Sequence, residues 1–369
     1  MSGLMEEMTA KALRLNVPLS VQIDLTYRCN ERCVHCYLDH DDHGEMTTAE
    51  IKRLLREMAD AGVFILTLSG GEIFVRKDFF EILEYARRLM FCVKLKTNAV
   101  LIGEREARRI KNMGVESVQV SIYSHRAEVH DAITLIPGSL KRSLEGIRLL
   151  KSLGLRVIIA NVLMTQNAQD YSSVRALAAE LGVETTLDPT VTPMMDGDRS
   201  PLGLGVAQDA LREVFRDPSL VGNVDEFCAI PPVAGESVLE STPCSAGHTA
   251  CYVSPYGEVF PCVQFPLPTG NVRQQPFIDI WRYSHRMNEV RSIRLKDLTT
   301  CTQCTHLSNC TRCPGLAFME GNMRGASSQD CEKSFARTGV PSANMLAKKR
   351  VGPNLVQIRP VSVLTSATA

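Results

Sequence analysis

The sequence predicts an α/β fold, with six strands alternating with helices and a smaller cysteine-rich region after them. Three observations carry this. Short β-rich runs and amphipathic helical runs alternate from residue 20 to about residue 190. Glycines stand where helices must stop before strands, and nine of the thirteen cysteines fall between residues 228 and 331. A chain of 369 residues is long enough for one large or two modest domains with well-buried cores.

The expected strands are "SVQIDLTY" (20–27), "VFILTLS" (63–69), "VKLKTNA" (93–99), "SVQVSIY" (117–123), "RVIIANVLM" (156–164) and "VETTLDP" (183–189). Most are near-continuously apolar or β-branched, as parallel strands buried on both faces are. The helices between them have legible ends. Thr47 and Glu50 form a capping box opening a helix that Gly62 stops, and Asp78 with Glu81 opens the next in the same way. Gly114, Gly154 and Gly182 each close a helix just before a strand. β-α alternation of this kind implies parallel pairing through right-handed crossovers, which leaves an open doubly wound sheet or an incomplete (β/α) barrel. Beyond about residue 190 the texture is loop-like, with a short helix over 207–217 and few long periodic segments. The core of this half is expected to be small and pinned by metal. The tail "GPNLVQIRPVSVLTSATA" has little periodicity and is expected to be partly disordered; there are no internal repeats or low-complexity tracts.

Composition narrows the partners. Lys+Arg and Asp+Glu both total 41, so no excess of positive charge points to nucleic acid or an anionic membrane, and "AKKR" at 347–350 reads as a solvated run. The first 20 residues lack the apolar core of a signal peptide, and no run approaches the roughly 18 apolar residues that cross a bilayer. The expected compartment is the cytoplasm, where thiols stay reduced, so thirteen cysteines point to metal rather than disulfides.

"TYRCNERCVHCYLD" (26–39) sets Cys29, Cys33 and Cys36 as C-x₃-C-x₂-C at the exit of the first strand. Three thiols are too many for one disulfide and one too few for a closed metal site. Iron–sulfur cubanes ordinarily take four thiolates, so a three-thiolate loop leaves one iron free for a ligand that is not protein. A zinc site completed by His35 or His40 is the alternative, as are unconnected structural cysteines.

With Tyr37 directly after the third cysteine and a strand before the first, this stretch resembles the radical S-adenosylmethionine (SAM) superfamily. Its signature is C-x₃-C-x-aromatic-C, and His35 stands here at the aromatic position. "SGGE", Ser69-Gly70-Gly71-Glu72, looks like the family's motif for the methionine amino group, with Ile73 where the family often has Pro. Glycines permit close approach, and Glu72 could accept a charge-assisted bond from an ammonium. The resemblance also implies that Asn98, Ser121 and Asn161, at later strand ends, contact SAM's ribose, carboxylate and adenine. Many relatives carry an Arg shortly after a His-Asp pair; after His130-Asp131 this chain has Thr134, which cannot form a bidentate fork with a carboxylate. By the same resemblance Cys29, Cys33 and Cys36 hold a [4Fe-4S] cluster whose open iron takes SAM. One electron then yields a 5′-deoxyadenosyl radical that abstracts hydrogen from a substrate. The fold it implies is a partial (β/α)₆ TIM-type barrel with the site at the strands' C-terminal ends.

The second cysteine set comprises Cys244, Cys251, Cys262 and then "CTQCTHLSNCTRC", which supplies Cys301, Cys304, Cys310 and Cys313, with Cys331 last. Eight thiols suffice for two fully ligated clusters, although C-x₂-C pairs also suit zinc. This half resembles the SPASM extension of radical SAM enzymes. The resemblance assigns Cys244, Cys251, Cys262 and Cys313 to one auxiliary cluster and Cys301, Cys304, Cys310 and Cys331 to the other, three [4Fe-4S] clusters in all. The last spacing is two residues where the family often has three. Cys92 and Cys228 read as structural. The implied division is a barrel core over 18–195, a connector over 196–240, the SPASM domain over 241–335 and a tail over 336–369.

SPASM proteins mostly modify peptides or proteins. The implied function is oxidative modification of a ribosomally made precursor peptide, such as a C–C or C–S crosslink. Peptide epimerisation, sulfatase-type formylglycine generation and tetrapyrrole side-chain chemistry are the alternatives. The formylglycine reading needs a carboxylate base, for which Asp188, Asp196 and Asp198 are candidates. About 20 residues precede the first strand, too few for a leader-binding domain, so a separate recognition protein is expected. A flavodoxin or ferredoxin would serve as electron donor.

Overall fold

The structure, a computed structural model, describes residues 2–350. All six expected strands form, each one to three residues shorter than its apolar run, with β3 starting one residue before it: β1 (Ser20–Asp24), β2 (Ile65–Ser69), β3 (Cys92–Thr97), β4 (Ser117–Ser121), β5 (Val157–Val162) and β6 (Glu184–Asp188). Every neighbouring pair among them is parallel, and they lie in sequence order from β1 to β6. A doubly wound sheet reverses its order at a switch point. Sequential order has no reversal, so the sheet is a barrel left open, with β6 as one edge.

The other end of the sheet departs from expectation. β7 (Ala250–Val253) adds to β1 in parallel, and β8 (Glu258–Phe260) and β9 (Gly270–Asn271) follow antiparallel. The cysteine-rich half therefore extends the barrel sheet. Nor is its core only small and separate. Two minor apolar clusters surround Phe265 and Ile293, but Val253, Val259, Phe277, Ile280, Trp281 and Met287 belong to the main core with β1–β5. Trp281 is fully buried, and its indole Nε1 donates to Asn16 O at 2.7 Å. Trp281→Ala is expected to destabilise the whole protein by about 3–5 kcal/mol, through the cavity and the orphaned carbonyl together; an equilibrium urea titration checks this.

Helix ends follow the sequence with one correction. The helix Thr48–Asp60 opens with the expected capping box: Glu50 N donates to Thr47 Oγ1 at 3.3 Å, and Thr47 N to Glu50 Oε2 at 2.8 Å. Gly114, Gly154 and Gly182 take positive φ at the expected helix stops, and Gly62 does so after the first. Asp78 precedes the helix Phe79–Arg88 but makes no cap bond. Its carboxylate is taken by Arg76 (2.6 and 2.9 Å) and Thr48 (2.7 Å), a charge-assisted fork that outcompetes a neutral cap.

The expected helix over 207–217 forms as Gln208–Val214. Residues Ser2–Leu15 and Ser328–Thr338 are also helical, which the pattern did not indicate. The run at 347–350 ends the helix Ala343–Arg350, with its side chains from 348 outside the described residues. The tail from Gly352 lies outside them entirely. Among the described residues no helix is long and apolar enough to cross a membrane.

Candidate active site

The cysteine loop leaves β1 and is strapped on both sides by backbone bonds. Leu25 N donates to Ser69 O (2.8 Å), Gly71 N to Thr26 O (2.7 Å) and Glu72 N to Arg28 O (3.0 Å), tying the loop to the exit of β2. Across the opening, Arg32 N donates to Thr134 O (3.1 Å) and Val34 N to Ile133 O (2.9 Å). Thr134 is fully buried, with its hydroxyl 2.7 Å from Ser139 Oγ. The loop is thus anchored by the backbone carbonyl of Thr134, while its hydroxyl turns to Ser139.

Cys29, Cys33 and Cys36 are half-buried and line one cavity of about 570 Å³ inside the barrel mouth. Burial is the largest influence on all three thiols and pushes them up, Cys29 to about 12. A nucleophilic cysteine has a depressed pKa, so these thiols rest protonated, and a metal bound there would have to displace their protons. Among the described residues no three His, Cys, Asp or Glu side chains converge closely enough to hold a single metal ion. The thiols face a shared volume instead. His35 also lines the cavity, edge-on to Tyr123, and burial lowers its pKa to about 4, leaving it a neutral aromatic wall.

Of the residues expected at SAM, Tyr37, Ser69, Gly70, Gly71, Asn98, Ser121 and Asn161 all line this cavity. Asn98 Nδ2 donates to Asn30 Oδ1 at 2.9 Å, placing its amide beside the cysteine loop. Asn161 Nδ2 donates to Ile122 O and Tyr123 O (2.7 and 3.0 Å), leaving its buried Oδ1 with no partner among the described residues. An orphaned acceptor at a cavity wall suits the amino or hydroxyl hydrogens of a nucleoside. The donor set therefore fits SAM.

Glu72 departs from expectation. It is fully buried and absent from the cavity wall. Its carboxylate accepts from three donors, Thr97 Oγ1 (2.9 and 2.8 Å to its two oxygens), Asn98 N (2.8 Å) and Phe74 N (3.1 Å). It braces the exits of β2 and β3 against each other rather than offering an oxygen to an ammonium. The backbone of Ser69–Gly71 faces the cavity in its place.

Cys244, Cys251, Cys262 and Cys313 line a second cavity of about 530 Å³, which shares Gln22, Val263 and Gln264 with the first. Cys301, Cys304, Cys310 and Cys331 gather apart from them: burial, opposed by Arg312 and aided by the other three thiols, raises the Cys301 thiol to about 11. The buried Arg312 guanidinium lies between the two groups, bonded to the carbonyls of Met323 and Gly325. Cys92 starts β3, half-buried, and Cys228 Sγ donates to Phe215 O at 3.5 Å. Asp196 and Asp198 are exposed and bond into their own loop, whereas Asp188 lines the cavity. Sequence reasoning passed over Gln22, Lys96, Gln119 and Thr186, which form the polar wall of the lumen.

Comparison with known proteins agrees with this geometry. Residues 23–178 match the model of the radical SAM superfamily, and residues 244–314 that of the SPASM iron–sulfur cluster-binding domain. The chain is 29% identical to an AdoMet-dependent heme synthase of Methanosarcina barkeri, over 82% of this chain and 93% of that one. It is 28% identical to the mycofactocin maturase MftC of Mycolicibacterium smegmatis, over 92% and 87%. The structure of Streptococcus suis SuiB bound to its precursor peptide SuiA has the same fold, with a TM-score of 0.70 at 18% identity over 87% of this chain and 78% of that one.

Proposed function

Because the chain is a radical SAM enzyme with a C-terminal SPASM domain, we propose that it is a maturase that oxidatively modifies a ribosomally made precursor peptide, by a C–C or C–S crosslink. The observation that carries the reading is the continuity of the lumen. One cavity joins the cysteine loop and the strand ends to Val263, Gln264, Pro266 and Met319 of the C-terminal half, next to the second thiol cavity. A substrate there would sit between the site of hydrogen abstraction and a candidate electron acceptor. The likeness to a mycofactocin maturase over 92% of the chain, and to the fold of SuiB bound to its precursor peptide, supports a peptide as that substrate.

In this reading Cys29, Cys33 and Cys36 hold the SAM cluster. Cys244, Cys251, Cys262 and Cys313 hold one auxiliary cluster, and Cys301, Cys304, Cys310 and Cys331 the other. The bound cofactors supply the reductive cleavage of SAM and an outlet for the electron left on the product. The chain does the placing. Asn98, Ser121 and Asn161 orient the nucleoside, Tyr37 and His35 wall the cluster from water, and the Ser69–Gly71 backbone seats the amino acid end. A flavodoxin or ferredoxin as reductant and a separate leader-recognition protein complete the proposal.

The test is intact and tandem mass spectrometry of the short peptide encoded beside the gene, co-expressed with the enzyme and any neighbouring recognition protein. Loss of a pair of hydrogens is expected, and its absence in a Cys29/Cys33/Cys36→Ala control. An unchanged mass and unchanged residue chirality would overturn the reading. Cys310→Ala is expected to lower turnover at least tenfold; unchanged turnover would remove the second auxiliary cluster from the electron path. The heme synthase likeness over 82% of the chain favours tetrapyrrole chemistry as the second reading, which predicts a porphyrin absorbance shift on adding the enzyme.

A further inference from the structure

The lumen carries a charge that the reaction above does not use. Barrels of this type usually fill their interior with branched apolar side chains. Here alternate strand positions present Gln22, Lys96, Gln119 and Thr186 to the cavity, with Lys96 and Gln119 adjacent in register. Glu31 and Asp188 are the acidic residues of the wall. Lys96 is the one lysine or arginine of the wall among the described residues.

That cation has no carboxylate within ion-pair reach among the described residues. Its Nζ donates to Gln22 Oε1 at 3.0 Å, and Gln22 Nε2 donates to Asp24 Oδ1 at 3.1 Å. Donor and acceptor rules permit only this orientation: an ammonium can only donate and an ionised carboxylate can only accept, so the amide between them cannot flip. Asp24 is fully buried and also accepts from Tyr252 OH at 2.9 Å. Asp24 supports the lysine's charge from a distance, and the bond to Gln22 uses one of its three N–H groups. Lys96 is exposed to the open lumen, so its ammonium is accessible to a ligand that enters the cavity. Asp188 lies within electrostatic range of Lys96 and, with Asp24, favours its charged form.

We propose that Lys96 is the docking point for a carboxylate of the substrate, C-terminal or on an Asp or Glu side chain of the peptide. This rests on the peptide reading above and adds its chemical class. Lys96 is a positioning residue: anchoring one carboxylate of the peptide on the lumen wall would fix which C–H faces the strand ends proposed for SAM.

The test measures binding of the neighbouring-gene peptide to anaerobically reconstituted holoenzyme by fluorescence anisotropy. The peptide is used as the free acid, as the C-terminal amide, and with Asp and Glu changed to Asn and Gln. Lys96→Met is expected to weaken the free-acid peptide about tenfold or more, as loss of a charge-assisted bond does. One neutralised peptide should bind wild type equally weakly and lose nothing further in the variant, while Lys96→Arg stays within a few-fold of wild type. Equal affinity of all peptide forms for wild type and Lys96→Met overturns the proposal. So does a tenfold loss of SAM affinity in Lys96→Met with peptide affinity unchanged, which would place the carboxylate of SAM there. Should Lys96→Met fail to fold, the three peptide forms on wild type and Lys96→Arg decide in the same way. A second probe, 4-phenylbutyrate against its amide by ligand-observed NMR, separates this proposal from the peptide reading. Acid-selective binding to wild type with no peptide modified would retain the anion site and reject the peptide.

Discussion

Gly71→Ala is expected to cost the protein its cysteine loop. A Cβ on Gly71 would stand 2.4 Å from Arg28 O and 2.5 Å from Tyr27 O, and one on Gly70 would stand 2.3 Å from Thr26 O. These are backbone atoms of the segment entering Cys29, held by the straps from Gly71 N and Glu72 N, so they cannot swing aside as a side chain would. Gly70 also sits at φ +143°, a conformation that only glycine adopts readily. Either substitution must push the loop off β2. We expect a loss of about 3 kcal/mol or more, together with loss of the iron bound at this loop and of SAM binding. Thermal melting and iron analysis check this, with Gly203→Ala, where a Cβ meets nothing within 4 Å, as the neutral control. A Gly71→Ala protein with wild-type melting and iron content would show that the glycines serve something other than this contact.

The second large effect concerns the eight C-terminal thiols. Beside burial, the Cys262 thiol raises those of Cys244, Cys251 and Cys313, and Cys304 and Cys331 raise those of Cys301 and Cys310, so the thiols divide into two neighbourhoods with Arg312 between. Cys262→Ala should remove about four irons and Cys331→Ala another four. The double variant Cys262/Cys313→Ala should lose no more than Cys262→Ala alone, whereas Cys262/Cys331→Ala loses both clusters. Iron and sulfide analysis with EPR of the reduced protein reads this out. A Cys313→Ala protein that loses the Cys331 cluster and keeps the Cys262 cluster would overturn the partition.

The strands and their parallel pairing were legible because buried parallel strands need runs such as "VFILTLS" that fit little else. The helix stops were legible because only glycine sits comfortably at the positive φ that a stop requires. The thiols were legible because their spacing is local. What escaped is non-local. The pairing of β7 with β1 joins residues some 230 apart in the chain, and no local pattern announces it. Glu72 was read as a ligand because its partners Thr97 and Asn98 lie on another strand, so its carboxylate looked free. The polar wall had a signal that went unused. "SVQID", "VKLKT", "SVQVS" and "ETTLD" all place polar residues at alternate positions, and a period of two in parallel strands marks a lumen that is hollow rather than packed.

The central claim is that the loop of Cys29, Cys33 and Cys36 directs hydrogen abstraction at a peptide held in the barrel lumen. The measurement that tests it most directly is the mass of the 5′-deoxyadenosine formed when reconstituted enzyme, SAM and reductant meet the neighbouring-gene peptide made fully deuterated at carbon. The account predicts 5′-deoxyadenosine carrying a single deuterium, formed together with modified peptide. Unlabelled 5′-deoxyadenosine beside an unaltered peptide would contradict it.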